Sequence, residues 1–87
     1  MNTYRRNPNT AGRLLGDRAF IITADQNRLV TLNTTASALW MLAEQGFTME
    51  QAVNTLTTRF EVSEDQARVD LPSSLDDLVE KQVLVTD

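Results

Sequence analysis

Hydrophobic residues follow two different spacings along the chain, and the change comes near residue 33. Residues 13–23 and 28–33 are rich in apolar and β-branched residues, with a Gly-Asp pair inside the first stretch and a polar turn at residues 24–27 between the two. Short β-rich runs separated by turn residues are typical of strands. This part of the chain therefore predicts a β-hairpin or a three-stranded antiparallel meander.

The last predicted strand has the sequence RLVTLN, residues 28–33. Side chains alternate between the two faces of a strand, so Val30 and Leu32 are predicted to share one face. Leu29 and Thr31 fall on the opposite face. Charged residues and proline usually protect a sheet edge from pairing. This strand has only one charged residue and no proline. Its edge is therefore predicted to be available to a further strand.

After residue 33 the apolar residues recur at helical spacing in three segments. The first predicts a helix over about residues 35–45, with Thr34 or Thr35 as its N-cap and Gly46 in the left-handed position after its end. Its apolar positions are Ala36, Leu39, Trp40 and Ala43. The single tryptophan is interpreted as a packing residue that anchors this helix against the sheet.

Two further helices are predicted to begin at capping-box sequences, TMEQ at residues 48–51 and SEDQ at residues 63–66. The third helix contains Pro72, which removes one backbone hydrogen bond, so we expect a kink near residues 68–72 or a helix that restarts at Leu71. Its favourable i,i+4 pairs are Glu64 with Arg68 and Asp77 with Lys81. The apolar stripes are Met49, Ala52, Val53, Leu56 and Phe60 in the second helix, and Leu71, Leu75 and Leu78 in the third.

These elements predict an α+β, winged-helix-like fold, in which about three antiparallel strands are followed by a three-helix bundle. The sequence has no repeat, low-complexity segment or long linker, so residues 1–87 are predicted to form one domain. Residues 1–12 contain Pro8 and Gly12 among polar residues and are predicted to be a loosely ordered arm or a short edge strand. The residues expected to be buried together are Leu32, Leu39, Trp40, Val53, Leu56, Phe60 and Leu78.

Composition narrows the possible chemistry, because the 87 residues include neither cysteine nor histidine. This excludes thiol and imidazole catalysis, disulfides and the usual zinc and iron–sulfur sites. The sequence also lacks a phosphate-binding glycine loop. We therefore expect no enzyme activity, no catalytic residue, no metal site and no cofactor. Without a signal-like N-terminus or a run of about eighteen apolar residues, the protein is expected to be cytoplasmic and not membrane-bound.

Charge is uneven along the chain, whose net charge is -4. Residues 1–46 carry five arginines against three acids, whereas residues 47–87 carry three basic residues against nine acids. The alternative interpretation of the element pattern is a winged-helix DNA-binding protein, which needs basic side chains on the helix that contacts DNA. The third helix has only Arg68 and Lys81 against six acids, so nucleic-acid binding is not expected.

Three motifs carry a family resemblance. The junction LNTTASALW at residues 32–40 matches LN-x-TA-x-x-(I/L)-W, and residues 46–60 match a second run that begins with Gly and ends with Phe. The third helix matches a further pattern at Asp70, Leu71, Leu75 and Leu78. On these motifs the chain resembles, over nearly its whole length, the PqqD family of small peptide chaperones, also called RiPP recognition elements. Ser74 departs from the family's usual Phe, and Gln82 stands where Gly commonly precedes the final apolar pair.

The resemblance implies a domain that binds the leader segment of a ribosomally synthesised precursor peptide and presents it to a modifying enzyme such as a radical SAM protein. It implies that the leader adds as a strand and lies in a groove between the last strand and the third helix. An exposed sheet edge independently favours such β-augmentation. Leucines at helical spacing also have the pattern of core residues, which is their first interpretation. The residues that the resemblance places at the peptide site are Arg28, Leu29, Val30, Thr31, Arg68, Leu71, Ser74 and Leu75.

Overall fold

The computed structural model describes residues 3–24 and 27–87. Within them the chain forms six strands and three helices, in the order β1 (Thr3–Arg6), β2 (Thr10–Leu15), β3 (Arg18–Thr23), β4 (Arg28–Thr31), α1 (Thr34–Leu42), β5 (Phe47–Thr48), α2 (Met49–Arg59), α3 (Glu64–Glu80) and β6 (Leu84–Thr86). The α+β, winged-helix-like prediction is confirmed. The turn expected at residues 24–27 includes residues 25 and 26, which lie outside the described residues.

The strands form two antiparallel sheets rather than one. The first has the order β2-β3-β4 and is the meander predicted from the sequence. The second has the order β5-β1-β6 and joins the two ends of the chain, since Tyr4 pairs with both Phe47 and Thr86. The sequence predicted about three strands before residue 33, whereas the structure has four there and two short ones later.

The prediction of an arm or edge strand for residues 1–12 was wrong for β1, whereas residues 10–12 do lie in an edge strand, β2. β1 is the central strand of its sheet, neither an arm nor an edge, and β2 begins already at Thr10. Tyr4 is buried, and its ring stacks on Phe47 with 5.4 Å between the ring centroids. The partners of β1 come from the middle and the end of the chain, so local composition gives no signal for this pairing.

The junction between β4 and α1 is tight because its polar groups bond to one another. Asn33, not Thr34 or Thr35, is the N-cap, and its Oδ1 accepts a hydrogen bond from the Ala36 amide at 2.8 Å. The buried Ser37 hydroxyl accepts from the Ala19 amide at 2.7 Å and donates to the Leu32 carbonyl at 3.3 Å. These bonds attach the first turn of α1 to β3 and to the end of β4.

The other two helices start as the sequence predicted, with one difference. Thr48 and Gln51 form the complete reciprocal capping box. Ser63 accepts from the Gln66 amide at 3.1 Å, but the Gln66 side chain donates to Asp70 at 2.8 Å instead of completing the box. Both i,i+4 ion pairs predicted on α3 are present, at 3.0 Å for Glu64–Arg68 and 2.9 Å for Asp77–Lys81.

α3 runs as one helix through Pro72 and does not restart at Leu71. Proline inside a helix costs about 3 kcal/mol. Burial of a leucine side chain contributes about 1.5–3 kcal/mol, and α3 buries three leucines, so packing offsets the lost hydrogen bond. Pro72 lies on the exposed side of the helix, and the buried side consists of Ala67, Leu71, Leu75 and Leu78.

Trp40 lies where the two sheets meet, and its side chain is 6 % exposed. The Arg6 guanidinium of β1 lies over the ring, 3.6 Å from its centroid, while the Arg6 Nε donates to the Trp40 carbonyl at 2.9 Å. On β2, a Cβ added to Gly12 would come within 2.6 Å of Trp40 Cζ2, so only glycine fits against the ring. Of the residues expected in the core, all are buried except Phe60, which is partly buried against it.

Candidate functional site

β4 has a neighbour on one side only among the described residues. It pairs with β3 in the register Phe20↔Thr31, Ile21↔Val30 and Ile22↔Leu29. The described part of the chain places no strand against its other side. The predicted edge at residues 28–31 is therefore open.

The backbone groups that face this side can be identified from the ladder. The Leu32 amide donates to the Ala19 carbonyl at 2.9 Å, so Leu32 faces β3. Successive residues of an antiparallel strand direct their N–H and C=O groups to opposite sides, so Val30 also faces β3. Leu29 and Thr31 direct theirs away from it. We call the backbone groups of these two residues the open edge.

Two adjacent cavities lie along α3 and reach Asn33, two residues after the end of β4; their volumes are about 260 and 130 Å³. We call them together the α3 groove. Both contact Asn33, Thr35, Leu39 and Ser74; the larger also contacts Leu56, Val62, Ala67, Asp70 and Leu71, and the smaller Ala36, Asp77 and Leu78. The interior of the larger cavity is apolar, whereas polar residues from the β4–α1 junction and from α3 border it.

The predicted helix residues take different places relative to this groove. Ser74 contacts both cavities and Leu71 contacts the larger one. Leu75 is fully buried and contacts neither cavity, so it belongs to the core beneath them. On the strand, Val30 is buried, whereas Arg28, Leu29 and Thr31 are exposed.

Arg68, the remaining predicted residue, is already paired with two acids. It makes a bidentate contact with Glu50 at 2.7 and 2.8 Å and a further bond to Glu64 at 3.0 Å. The hydrogen bonds that Arg68 donates to these carboxylates raise its pKa, and the bond from Arg68 lowers the pKa of Glu50. Arg68 therefore connects α3 to the first turn of α2 beside the groove.

Several groove residues were not among the sequence-predicted site residues. Asn33 and Thr35 were interpreted only as part of the helix start, yet both border the two cavities. Leu39, Leu56 and Val62 form the apolar interior of the larger cavity. The LNTTA junction was the available signal, because it brings two polar side chains to the end of the open strand.

The described residues hold neither a metal-binding cluster nor a membrane-spanning helix. Residues 3–24 and 27–87 contain no group of three or more Asp or Glu side chains placed to hold a metal ion. No helix in these ranges has the length and apolar character needed to cross a bilayer.

Comparison with known proteins identifies the family and the fold. The profile of the family described as Coenzyme PQQ synthesis protein D (PqqD) matches residues 18–84. A search of curated proteins gave no significant match. One similar solved structure is TbiB1 in complex with the TbiA(beta) leader peptide, with a TM-score of 0.84, 20 % identity, and 92 % of this chain and 93 % of that chain covered. Another is a lasso peptide synthetase B1 complexed with the leader peptide, with a TM-score of 0.80, 18 % identity, and coverage of 94 % and 96 %. The family match covers well over half of the sequence, and the chain therefore belongs to the PqqD family.

Proposed function

We propose that this protein binds the leader segment of a ribosomally synthesised precursor peptide and presents the peptide to a modifying enzyme. The observation that carries the proposal is the open edge of β4, which leads through Asn33 to the α3 groove. An extended peptide adds to an open edge through main-chain hydrogen bonds, which give affinity, while nearby pockets receive alternate side chains and give specificity. The two similar solved structures named above are complexes with leader peptides.

The added strand pairs with the backbones of Leu29 and Thr31. Its residues opposite Val30 and Leu32 share the face of those two side chains, because cross-strand neighbours lie on the same face. This face leads directly into Asn33, which borders both cavities. Apolar leader side chains on this face enter the α3 groove, with the larger cavity as the main receptor.

The predicted site residues have distinct roles in this arrangement. The strand residues 28–31 supply the pairing edge. Leu71 and Ser74 contact the leader side chains, whereas Leu75 supports them from the core. The ion pair of Arg68 with Glu50 fixes the distance between α3 and α2. This distance sets the width of the α3 groove at the end nearer to Arg68.

Catalysis is assigned to a partner. A radical SAM protein is one candidate for the modifying enzyme, and the two proteins act together in the cytoplasm, where ribosomal peptides are made.

DNA binding is the competing function, and the charge of the protein opposes it. The basic side chains of α3 and of its C-cap already pair with acids, Arg68 with Glu50 and Glu64 and Lys81 with Asp77, so both are partly neutralised before they meet a phosphate.

The pairing edge is tested with a proline substitution. Thr31→Pro removes the N–H that faces the leader but no hydrogen bond to β3, and proline is tolerated on edge strands. A matched control exists on β2, whose outer side is also free among the described residues. Leu14 pairs with Ala19, whose carbonyl faces β4 because it accepts from the Leu32 amide, so the Leu14 backbone faces away from β3. Leu14→Pro therefore likewise removes only an outward N–H.

The probe is a set of twelve-residue peptides selected by display on the wild-type protein, titrated while amide chemical shifts are followed. We expect shifts centred on residues 28–33 and along the α3 groove, a loss of affinity of about tenfold for Thr31→Pro, and wild-type affinity for Leu14→Pro. Failure to select any binding peptide would contradict peptide binding. A weaker Leu14→Pro with an unchanged Thr31→Pro would move the site to β2.

A further inference from the structure

The sheet β2-β3-β4 has an uncovered apolar side that faces away from the helices. We define the outer face as the side chains of Ala11, Arg13, Phe20, Ile22, Leu29 and Thr31, which alternate with the inward-facing residues of the three strands. Ala11, Ile22 and Leu29 are directly paired across the strands and form one apolar row. Leu29 is 61 % exposed and Ile22 50 % exposed. A shallow cavity of about 220 Å³ lies over this row.

We propose that the bound peptide is read on both faces of its strand, and that the peptide residue paired with Leu29 carries an apolar side chain that covers Leu29 and Ile22. This inference rests on the proposed function. It adds a second surface, besides the α3 groove, that contacts side chains of the bound peptide. The ligand class it specifies is an extended segment with apolar side chains at consecutive positions, pointing alternately to the groove and to the outer face.

The register of the open edge carries the argument. Leu29 and Thr31, whose N–H and C=O groups face the open side, are also the two β4 residues whose side chains lie on the outer face. A peptide residue paired with Leu29 must place its side chain on that same face. Any strand that adds here therefore delivers a side chain to the outer face, whatever enters the groove.

The chemistry of the outer face selects that side chain. Adjacent strands are roughly 4.8 Å apart, so Ile22 on β3 lies roughly 9.6 Å from the backbone of the added strand. A methionine or aromatic side chain is long enough to extend over Leu29 toward Ile22, whereas a small polar one leaves both exposed. Arg13 is the single charged residue that borders the cavity, and it disfavours a cationic side chain there.

The test uses Ile22, which is off the open edge and away from the groove. Ile22→Asp places a charge in the apolar row, and Ile22→Thr keeps a β-branched residue while removing apolar surface. Leu15→Asp is the matched control, because Leu15 is 54 % exposed and does not border this cavity. The probe is the tightest display-selected twelve-residue peptide, measured against all variants, with circular dichroism as the folding control.

We expect Ile22→Asp to weaken peptide binding by about fivefold, Ile22→Thr by about twofold, and Leu15→Asp by less than either. A scan of the probe with aspartate should show loss of affinity at consecutive positions rather than only at every second one. Wild-type affinity for both Ile22 variants, with Thr31→Pro still weakened, would overturn two-faced reading and leave the proposed function intact. Absence of any peptide binding would instead overturn the proposed function.

Discussion

β1 and β4 are strands of four residues each, but their surroundings differ completely. β1 is enclosed by β5 and β6, and its Tyr4 is buried on Phe47. β4 has a partner on one side, and its Leu29 lies in solvent. Strand length and composition therefore do not decide whether a strand is enclosed in a sheet or available for recognition. What decides it is whether a later part of the chain pairs with both sides of the strand.

The region around β1 is also closed at its ends. The Thr3 amide donates to the Asp87 carboxylate at 2.9 Å, and Asn7 Nδ2 donates to the Gln82 carbonyl at 2.9 Å. Arg6 covers Trp40, whose ring also lies close to Gly12 of the other sheet. The sheet β5-β1-β6 thus connects the first and last strands to the centre of the core. β4 is not needed for these contacts, so its edge can stay unpaired in the folded protein.

The largest expected effect comes from breaking the closed region at Trp40. Trp40→Ala removes the ring between the two sheets and leaves a cavity, at a cost of about 3–5 kcal/mol in the free energy of unfolding. A small domain has about 5–15 kcal/mol in total, so this loss is enough to unfold a domain at the low end of that range. Urea denaturation followed by circular dichroism measures the change. The exposed neighbour is the control: Met41→Ala should cost less than about 1 kcal/mol, and equal costs would contradict the assignment of Trp40.

The next effect breaks the open region. Leu29→Asp leaves the buried Val30 and Leu32 face untouched but places a charge beside the pairing backbone, so it should weaken binding of the display-selected peptide about tenfold, or 1.4 kcal/mol. Calorimetric titration measures the affinity, and the urea midpoint should stay close to that of the wild type. Val69→Asp is the control, since Val69 is 71 % exposed on α3 and contacts neither cavity. Equal binding by the two variants would count against the β4 site.

The contrast between β1 and β4 also explains what the sequence could predict. Local signals were sufficient for the meander, the Thr48–Gln51 capping box and the i,i+4 pairs, because each depends on residues close in the chain. The sheet around β1 could not be predicted in this way, since Tyr4 pairs with residues more than forty positions away. In the site, the exposed strand and Leu71 followed from pattern and resemblance, whereas Asn33 and Thr35 as groove residues depend on how α1 and α3 approach each other.

A smaller effect on stability is expected from a substitution at Gln82, in the region around β1. Its φ is +65°, the left-handed region that glycine adopts without strain, and it directly precedes buried Val83. Gln82→Gly should relieve this strain and raise the free energy of unfolding by about 0.5–1 kcal/mol after the greater freedom of glycine in the unfolded chain is subtracted. The backbone carbonyl that accepts from Asn7 remains. Urea denaturation tests the change, and Gln82→Ala is the control that keeps the strain. A destabilised glycine variant would show that the side chain matters more than the backbone conformation.

The smallest effect concerns the ion pair between Arg68 of α3 and Glu50 of α2. The bond from Arg68 lowers the pKa of Glu50 below its ordinary value of 4.5. A carboxyl group whose folded-state pKa is depressed stabilises the fold above its unfolded pKa, and this contribution is lost as pH falls through the folded-state pKa. Glu50→Gln should therefore be slightly less stable than the wild type at pH 7, and the difference should shrink to nothing in the acid range below pH 4.5. Urea midpoints of both proteins at pH 7 and pH 3 measure it, with Glu44→Gln, an exposed acid outside these ion pairs, as the control. A difference that persists unchanged at pH 3 would mean that Glu50 acts through packing rather than through its charge.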